Sequence, residues 1–188
     1  LVLALSMTAC GSSKEGQESQ SEARLTVVAT TYPVYLLASA VAENVDGVVV
    51  ERLNTGEVSC LHDYTLTVSD MKLIESADVI AMNGAGLEDF MDDALSQAQG
   101  AVIDCSQGVQ MLEMVGHDHH DGEDGELYDP HIWMDPENAM IMAENIQKGL
   151  SQADPDHAQT YSDNLTEALA LLNSWDSNLQ EMIQEAEQ

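Results

Sequence analysis

Between residues 24 and 104, short apolar runs rich in β-branched residues alternate with segments of helical period, and this alternation restricts the fold more than any other feature of the chain. The runs are Leu25-Thr26-Val27-Val28-Ala29, residues 47–53 with Val48, Val49 and Val50 in a row, Ala77-Asp78-Val79-Ile80-Ala81-Met82, and Ala101-Val102-Ile103-Asp104. Each is short and suited to a buried strand. The intervening segments read as helices. Pro33 marks a start, after which Val34, Leu37, Ala38, Val41 and Ala42 recur at helical steps. Thr67-Val68-Ser69-Asp70 resembles a capping signal for a second helix, and residues 87–97 keep Leu87, Phe90, Met91, Ala94 and Leu95 on one side. Strand and helix alternating at this spacing predict an α/β fold, a parallel sheet flanked on both faces by helices. Ligands in such folds sit at the carboxyl ends of the strands, so the loop 54–65 with His62 is expected at that edge.

A further helix is expected from Pro136 to about residue 150, with Asp135 as its N-cap, Pro136 in its first turn and Glu137 close behind. After the break at Ala153-Asp154-Pro155-Asp156, residues 157–188 contain neither Pro nor Gly, and Tyr161, Leu165, Ala168, Leu172, Trp175, Leu179, Met182 and Ile183 mostly keep helical spacing. Such a helix would be roughly 45 Å long. It exceeds what one small sheet can cover, so a second lobe is expected to follow it.

The 188 residues suffice for one domain with its own core. Thirty-four acidic residues against five basic ones give a net charge of −29. A phosphate backbone would be repelled, which excludes sequence-independent nucleic-acid binding and makes cations the natural partners. Most of the acids serve solubility; those beside histidines are of more interest. The opening residues 1–10 are too short to span a membrane and suit the end of a signal-peptide apolar region, and Met7-Thr8-Ala9-Cys10-Gly11 resembles a bacterial lipobox with Met7 where Leu is usual. Cys10 is then the lipidation site. Residues 11–23, rich in Ser, Glu, Gln and Gly, read as a flexible tether. The expected organisation is therefore 1–10 signal-peptide end, 11–23 tether, 24–154 an α/β lobe with a mobile loop at 113–128, and 155–188 a connecting helix.

Chemistry concentrates at the histidines. Asp129-Pro130-His131-Ile132-Trp133-Met134-Asp135-Pro136 sets His131 between two Asp-Pro steps, on a short stiff segment just ahead of a helix N-terminus. His62, alone, would more often be a satisfied surface residue. Its loop and that of His131 should meet at the same sheet edge, and two neutral imidazoles there suit a borderline divalent ion such as Zn(II). Two ligands do not complete a site, which wants about four. Residues 116–126 include His117, Asp118, His119, His120 and Asp121; they read as a solvated loop or as an auxiliary zinc-gathering loop, whose imidazoles favour zinc over Mn(II). His157, near the start of a helix, is read as incidental. Cys60 and Cys105 both fall near the expected carboxyl edge. A disulfide between them would close about 45 residues and contribute roughly 4 kcal/mol on a loop-entropy model; a Cys60 thiolate ligand beside His62 and a free thiol are the alternatives.

The run Leu53-Asn54-Thr55-Gly56-Glu57-Val58-Ser59-Cys60-Leu61-His62-Asp63-Tyr64 through Asp70, the segment Ala77-Asp78-Val79-Ile80 with Asn83-Gly84-Ala85-Gly86-Leu87-Glu88, and the His131 motif together resemble the zinc/manganese receptor family, the lipid-anchored or periplasmic solute-binding proteins of ABC importers. The resemblance runs from about Arg24 to the end of the chain. It implies the first lobe of a two-lobed metal receptor, a long helix joining the lobes, and His62 and His131 as the first lobe's ligands. It also implies that a third His or a Glu, and then an Asp or Glu, come from a second lobe that this chain lacks. The expected function is capture of Zn(II), with manganese or iron as the alternative, outside the cytoplasm at a lipid-anchored position, for delivery to an ABC permease in the membrane. No Gly-x-Ser-x-Gly, phosphate-cradling loop or His-Glu-x-x-His is present, so no enzyme is expected. A zinc-dependent hydrolase would need an open coordination position with a polarised water; an extracellular zinc buffer or adhesin would work through the 116–126 loop alone.

Overall fold

The structure is a computed structural model that describes residues 25–53, 64–113 and 128–186. Among these residues four strands, β1 (Leu25–Ala29), β2 (Val48–Arg52), β3 (Val79–Met82) and β4 (Ala101–Asp104), form one sheet in the order β2-β1-β3-β4. All three pairings are parallel, with Val27 opposite both Val50 and Val79, and Ile80 opposite Val102. The chain leaves β1 in one direction to form β2 and later returns to its other side for β3. The gap between β1 and β3 is thus the point where strand order reverses, and loops leaving the two carboxyl ends there diverge and open a crevice.

The described residues also form five α-helices: α1 (Tyr32–Val41), α2 (Val68–Ser76), α3 (Asp92–Gln97), α4 (Pro136–Ala153) and α5 (Ala158–Ala186). Alternate strand residues serve opposite layers, as the period of two requires. Val27, Ala29, Val79, Ala81 and Ile103 join a core with α1, α4 and α5, whereas Val28 and Ile80 join a smaller one with Ile74 of α2 and Ala94 of α3. Helices cover both faces, as expected, and among the described residues leave only edge positions open. On the side of the short α2 and α3, Val49 of β2 and Val102 of β4 stay exposed, because nine and six residues of helix reach only the two central strands.

The helix starts follow their capping residues. Thr31 accepts the Val34 N–H, and Asp135 accepts that of Glu137, each with a Pro in the first turn. At α2 the capping box is complete: the Thr67 hydroxyl accepts the Asp70 N–H and Asp70 accepts the Thr67 N–H. The segment expected as one helix over 87–97 divides into a 3-10 turn, Asp89–Met91, and α3. Helix α4 buries Ala139, Met142, Ala143, Ile146 and Leu150 along one stripe. Its Asn145 amide donates to the carbonyls of Cys105 and Gln107, fastening the chain leaving β4 along the helix.

Between α4 and α5 the chain turns at Asp154. Its buried carboxylate accepts from the Tyr161 hydroxyl at 2.9 Å and pairs with His157 Nδ1 at 2.8 Å. His157, incidental by sequence, is therefore part of the corner. The 29 residues of α5 span about 44 Å. Tyr161 and Leu172 are buried, and beyond Leu172 the helix is exposed nearly all round, including Trp175, Leu179, Met182 and Ile183. No helix among the described residues is long and apolar enough to cross a membrane.

Candidate metal centre

His131 precedes a 3-10 turn, Ile132–Met134, that leads into α4. Its local geometry is set from two sides. The Asp129 N–H donates to the Leu112 carbonyl, and Tyr128 pairs antiparallel with Glu113, so the segment is anchored to the chain that follows β4. On the other side the Asn83 side-chain amide, just beyond β3, donates to the Pro130 carbonyl at 3.0 Å. Through this bond His131 is tied to the carboxyl edge of the central strands.

The imidazole is oriented by its own upstream acid. Asp129 Oδ1 accepts both the His131 backbone N–H at 2.9 Å and ring Nδ1 at 2.6 Å. These two bonds hold the Asp129 carboxyl below the usual carboxylate range. An ionised carboxylate on Nδ1 selects the tautomer that keeps the proton there, which leaves the Nε2 lone pair for a Lewis acid. Among the described residues nothing occupies Nε2. The side chain is about half exposed, and the Trp133 ring meets it edge-on at 5.2 Å.

Joined to it through Asn83 lies a buried polar cluster; its Asn83–Glu88 segment carries part of the family resemblance, but the sequence assigns these side chains no role. The Glu88 carboxylate, 1% exposed, accepts the Thr30 hydroxyl at 2.5 Å, the Asn83 N–H at 2.7 Å and the Gly84 N–H at 2.9 Å. Burial raises its carboxyl above the ordinary range; the three donors oppose that shift and the nearby Asp104 adds to it. Thr30 directly follows β1 and Asn83 directly follows β3, so Glu88 spans the crevice where strand order reverses. An acid at the start of a helical segment reads as an ordinary first-turn residue, and only the sheet order brings Thr30 to it.

The described residues on either side of 54–63 are held in place. The Leu53 N–H donates to the Ala29 carbonyl at the end of β1, and the Tyr64 hydroxyl donates to Asp70 at the start of α2, its ring edge-on to Phe90. His62 and Cys60 themselves, the loop residues His117, Asp118, His119, His120 and Asp121, and Cys10 lie outside the described residues. Among the described residues no three His, Cys, Asp or Glu side chains converge as a metal site, and Asp129 is the acid that pairs with His131. Cys105 is free among the described residues, and its expected partner Cys60 lies outside them. Its side chain is fully buried in the α1/α4/α5 core, where burial and the charges of Glu88 and Asp104 push the thiol far up and keep it protonated.

Known proteins are similar to this chain in sequence and in fold. The zinc-binding protein AdcA of Streptococcus pyogenes serotype M3 is 26% identical over 93% of this chain and 36% of its own length. The iron-binding protein YfeA of Yersinia pestis is 30% identical over 90% of this chain and 52% of its own. A solved structure of the manganese-bound periplasmic metal-binding protein of Candidatus Liberibacter asiaticus superposes with a TM-score of 0.73 and 27% identity, covering 86% of this chain and 58% of that one. The chain thus spans about a third to three-fifths of the proteins it matches. The family model of the periplasmic component A of the zinc-uptake complex, ZnuA, matches residues 27–188. This chain belongs to that family, which is one of solute-binding uptake components and not of enzymes.

Proposed function

We propose that this chain captures a divalent first-row metal outside the cytoplasm, as part of a receptor that hands the ion to an ABC-type membrane permease, and that the metal is zinc. The observation that carries the reading is the His131 imidazole with Nδ1 taken by Asp129 and Nε2 left open among the described residues, on a segment tied to the carboxyl edge of β1 and β3. A carboxylate behind a histidine raises its basicity and fixes its direction, the usual arrangement for a metal-binding imidazole. His62, two residues before the anchored Tyr64, is the second ligand on this reading. The remaining donors come from a second lobe beyond α5, and Cys10 carries a lipid that keeps the receptor at the membrane.

Zinc is preferred because nitrogen donors suit it and because His117, His119 and His120, with Asp118 and Asp121, form an auxiliary gathering loop. Manganese or iron is the second reading, supported by relatives named for those metals. Competition calorimetry decides between them: on the zinc reading, Zn(II) displaces bound Mn(II) and Fe(II) and is not displaced by them at equal concentration. Capture requires neutral imidazoles, so affinity is expected to fall as pH drops through the range near ~6.5. Zinc affinity unchanged between pH 8 and pH 5 (about one and a half units either side of that midpoint) would remove His62 and His131 as ligands.

A further inference from the structure

The Glu88 cluster has no place in metal ligation, yet it ends one hydrogen bond away from the residue that precedes His131. Asn83 is the link. Its backbone N–H donates to Glu88 and its side-chain amide donates to the carbonyls of Gly84 and Pro130, the latter 47 residues away in the chain. Both amide hydrogens face carbonyl oxygens, which defines the orientation of the group and leaves Oδ1 buried without a partner among the described residues. An orphaned buried acceptor costs stability. The two bonds that the amide donates offset that cost, and the one to Pro130 is the one that reaches the His131 segment.

The turn that holds Asn83 is itself held by Glu88. Gly84, Ala85 and Gly86 all have positive φ, 78°, 56° and 82°, which L residues rarely adopt in succession. A Cβ on Gly84 would collide with the side chains of Asp104 and Ser106, so the turn is pressed against the end of β4. Such a backbone keeps its shape only when surrounding groups over-determine it. Glu88 does so by accepting the N–H groups of Asn83 and Gly84 and the hydroxyl of Thr30.

We propose that Asn83 and Glu88 are positioning residues for metal capture: they fasten the Pro130 carbonyl to the carboxyl ends of β1 and β3, so that the imidazole of His131 is held in place before the ion arrives. The inference rests on the reading of His131 as a metal ligand. Preorganisation of this kind shows in affinity, since disorder removed beforehand is not lost on binding.

The test titrates zinc chloride into the full chain and follows the ring nitrogens of His131 by proton–nitrogen correlation spectra, which separate it from the other histidines. Asn83→Ala is expected to weaken zinc binding at His131 by about 10- to 100-fold, the range for residues that support a ligand. Asn83→Ser, with a short polar side chain, is expected to lose less, and Glu88→Gln to lose about tenfold. Ile146→Val, a packing change in α4, is the control matched for thermal stability and should bind as the parent does. Wild-type affinity in Asn83→Ala, with His131 responding to zinc, overturns the positioning role and leaves the ligand reading intact. An equal affinity loss in Ile146→Val overturns it in favour of simple stability. A His131 ring that ignores zinc in the parent chain overturns both. Should Asn83→Ala not fold, Asn83→Ser and Glu88→Gln carry the same comparison.

Discussion

Two histidines in this chain make the same pair with an upstream aspartate. His131 Nδ1 meets Asp129 at 2.6 Å and His157 Nδ1 meets Asp154 at 2.8 Å. Their settings differ: the first pair is about half exposed on both sides, while Asp154 is 4% exposed and also accepts from the buried Tyr161 hydroxyl. At the α4–α5 corner the shared carboxylate joins two elements, and its loss would strand a buried hydroxyl. At the edge of the sheet the carboxylate joins nothing distant. It fixes a tautomer and a direction, and the nitrogen opposite has no partner among the described residues. One pair of side chains thus serves as a bolt or as an aimed donor, according to whether the fold surrounds it.

The comparison breaks most visibly in zinc binding. His131→Ala is expected to weaken zinc capture by calorimetry by more than about 100-fold, beyond the loss from a supporting residue, and His157→Ala to leave it within about twofold, the size of a surface change. Equal effects would end the distinction. The two acids should separate in the opposite sense. Asp154→Ala is expected to cost roughly 3 kcal/mol in denaturant unfolding, because two donors lose a buried charged acceptor. Asp129→Ala should cost less than about 0.5 kcal/mol of stability, as exposed positions do, while weakening zinc about 10- to 100-fold. Tyr161→Phe should cost about 1 kcal/mol, one hydrogen bond, with zinc affinity unchanged.

The buried Glu88 sharpens the contrast through pH. Its carboxyl is raised, so the folded chain binds a proton that the unfolded chain has released. Stability from this group is complete below the ordinary Glu range and is lost as pH rises through the raised value. Asp129 is lowered and runs the other way: its contribution is present above the ordinary Asp range and is lost as pH falls through the lowered value. Unfolding curves of Glu88→Gln against the parent should therefore diverge as pH rises from about 4.5 towards neutrality, with the parent losing ground. A constant difference over that span would mean that Glu88 does not titrate there.

Much of the scaffold is legible in the residue order. The runs at 25–29 and 101–104 are β1 and β4 residue for residue, Thr67 and Asp70 form the expected capping box, and Asp135 and Pro136 start α4. These are local signals, arising from side-chain period and from the first unpaired N–H groups of a helix. The site is legible in part. His131 is recognisable because prolines flank it, but its acid Asp129 reads only as part of a turn. Asn83 and Glu88 stand in a segment of family resemblance without a role of their own, and their meeting with Thr30 is not legible because it spans 58 residues from Thr30 to Glu88. His157 looks incidental because nothing near it in sequence announces Asp154 as buried. Pairing Cys60 with Cys105 follows from compartment and strand position; Cys105 is buried in the core and Cys60 lies outside the described residues.

Residue order by itself determined the parallel α/β class, the helix starts, a cation-seeking acidic composition and a histidine poised at a strand edge, because each depends on composition or on neighbours a few positions apart. The tertiary structure decided which acids are held and which histidines are aimed. Strand order set Thr30 beside Glu88, a sheet edge brought Asn83 to Pro130, and burial made Asp154 a fastening while exposure left His131 a donor. Those outcomes depend on distance through space and on access of water, which a one-dimensional pattern does not encode.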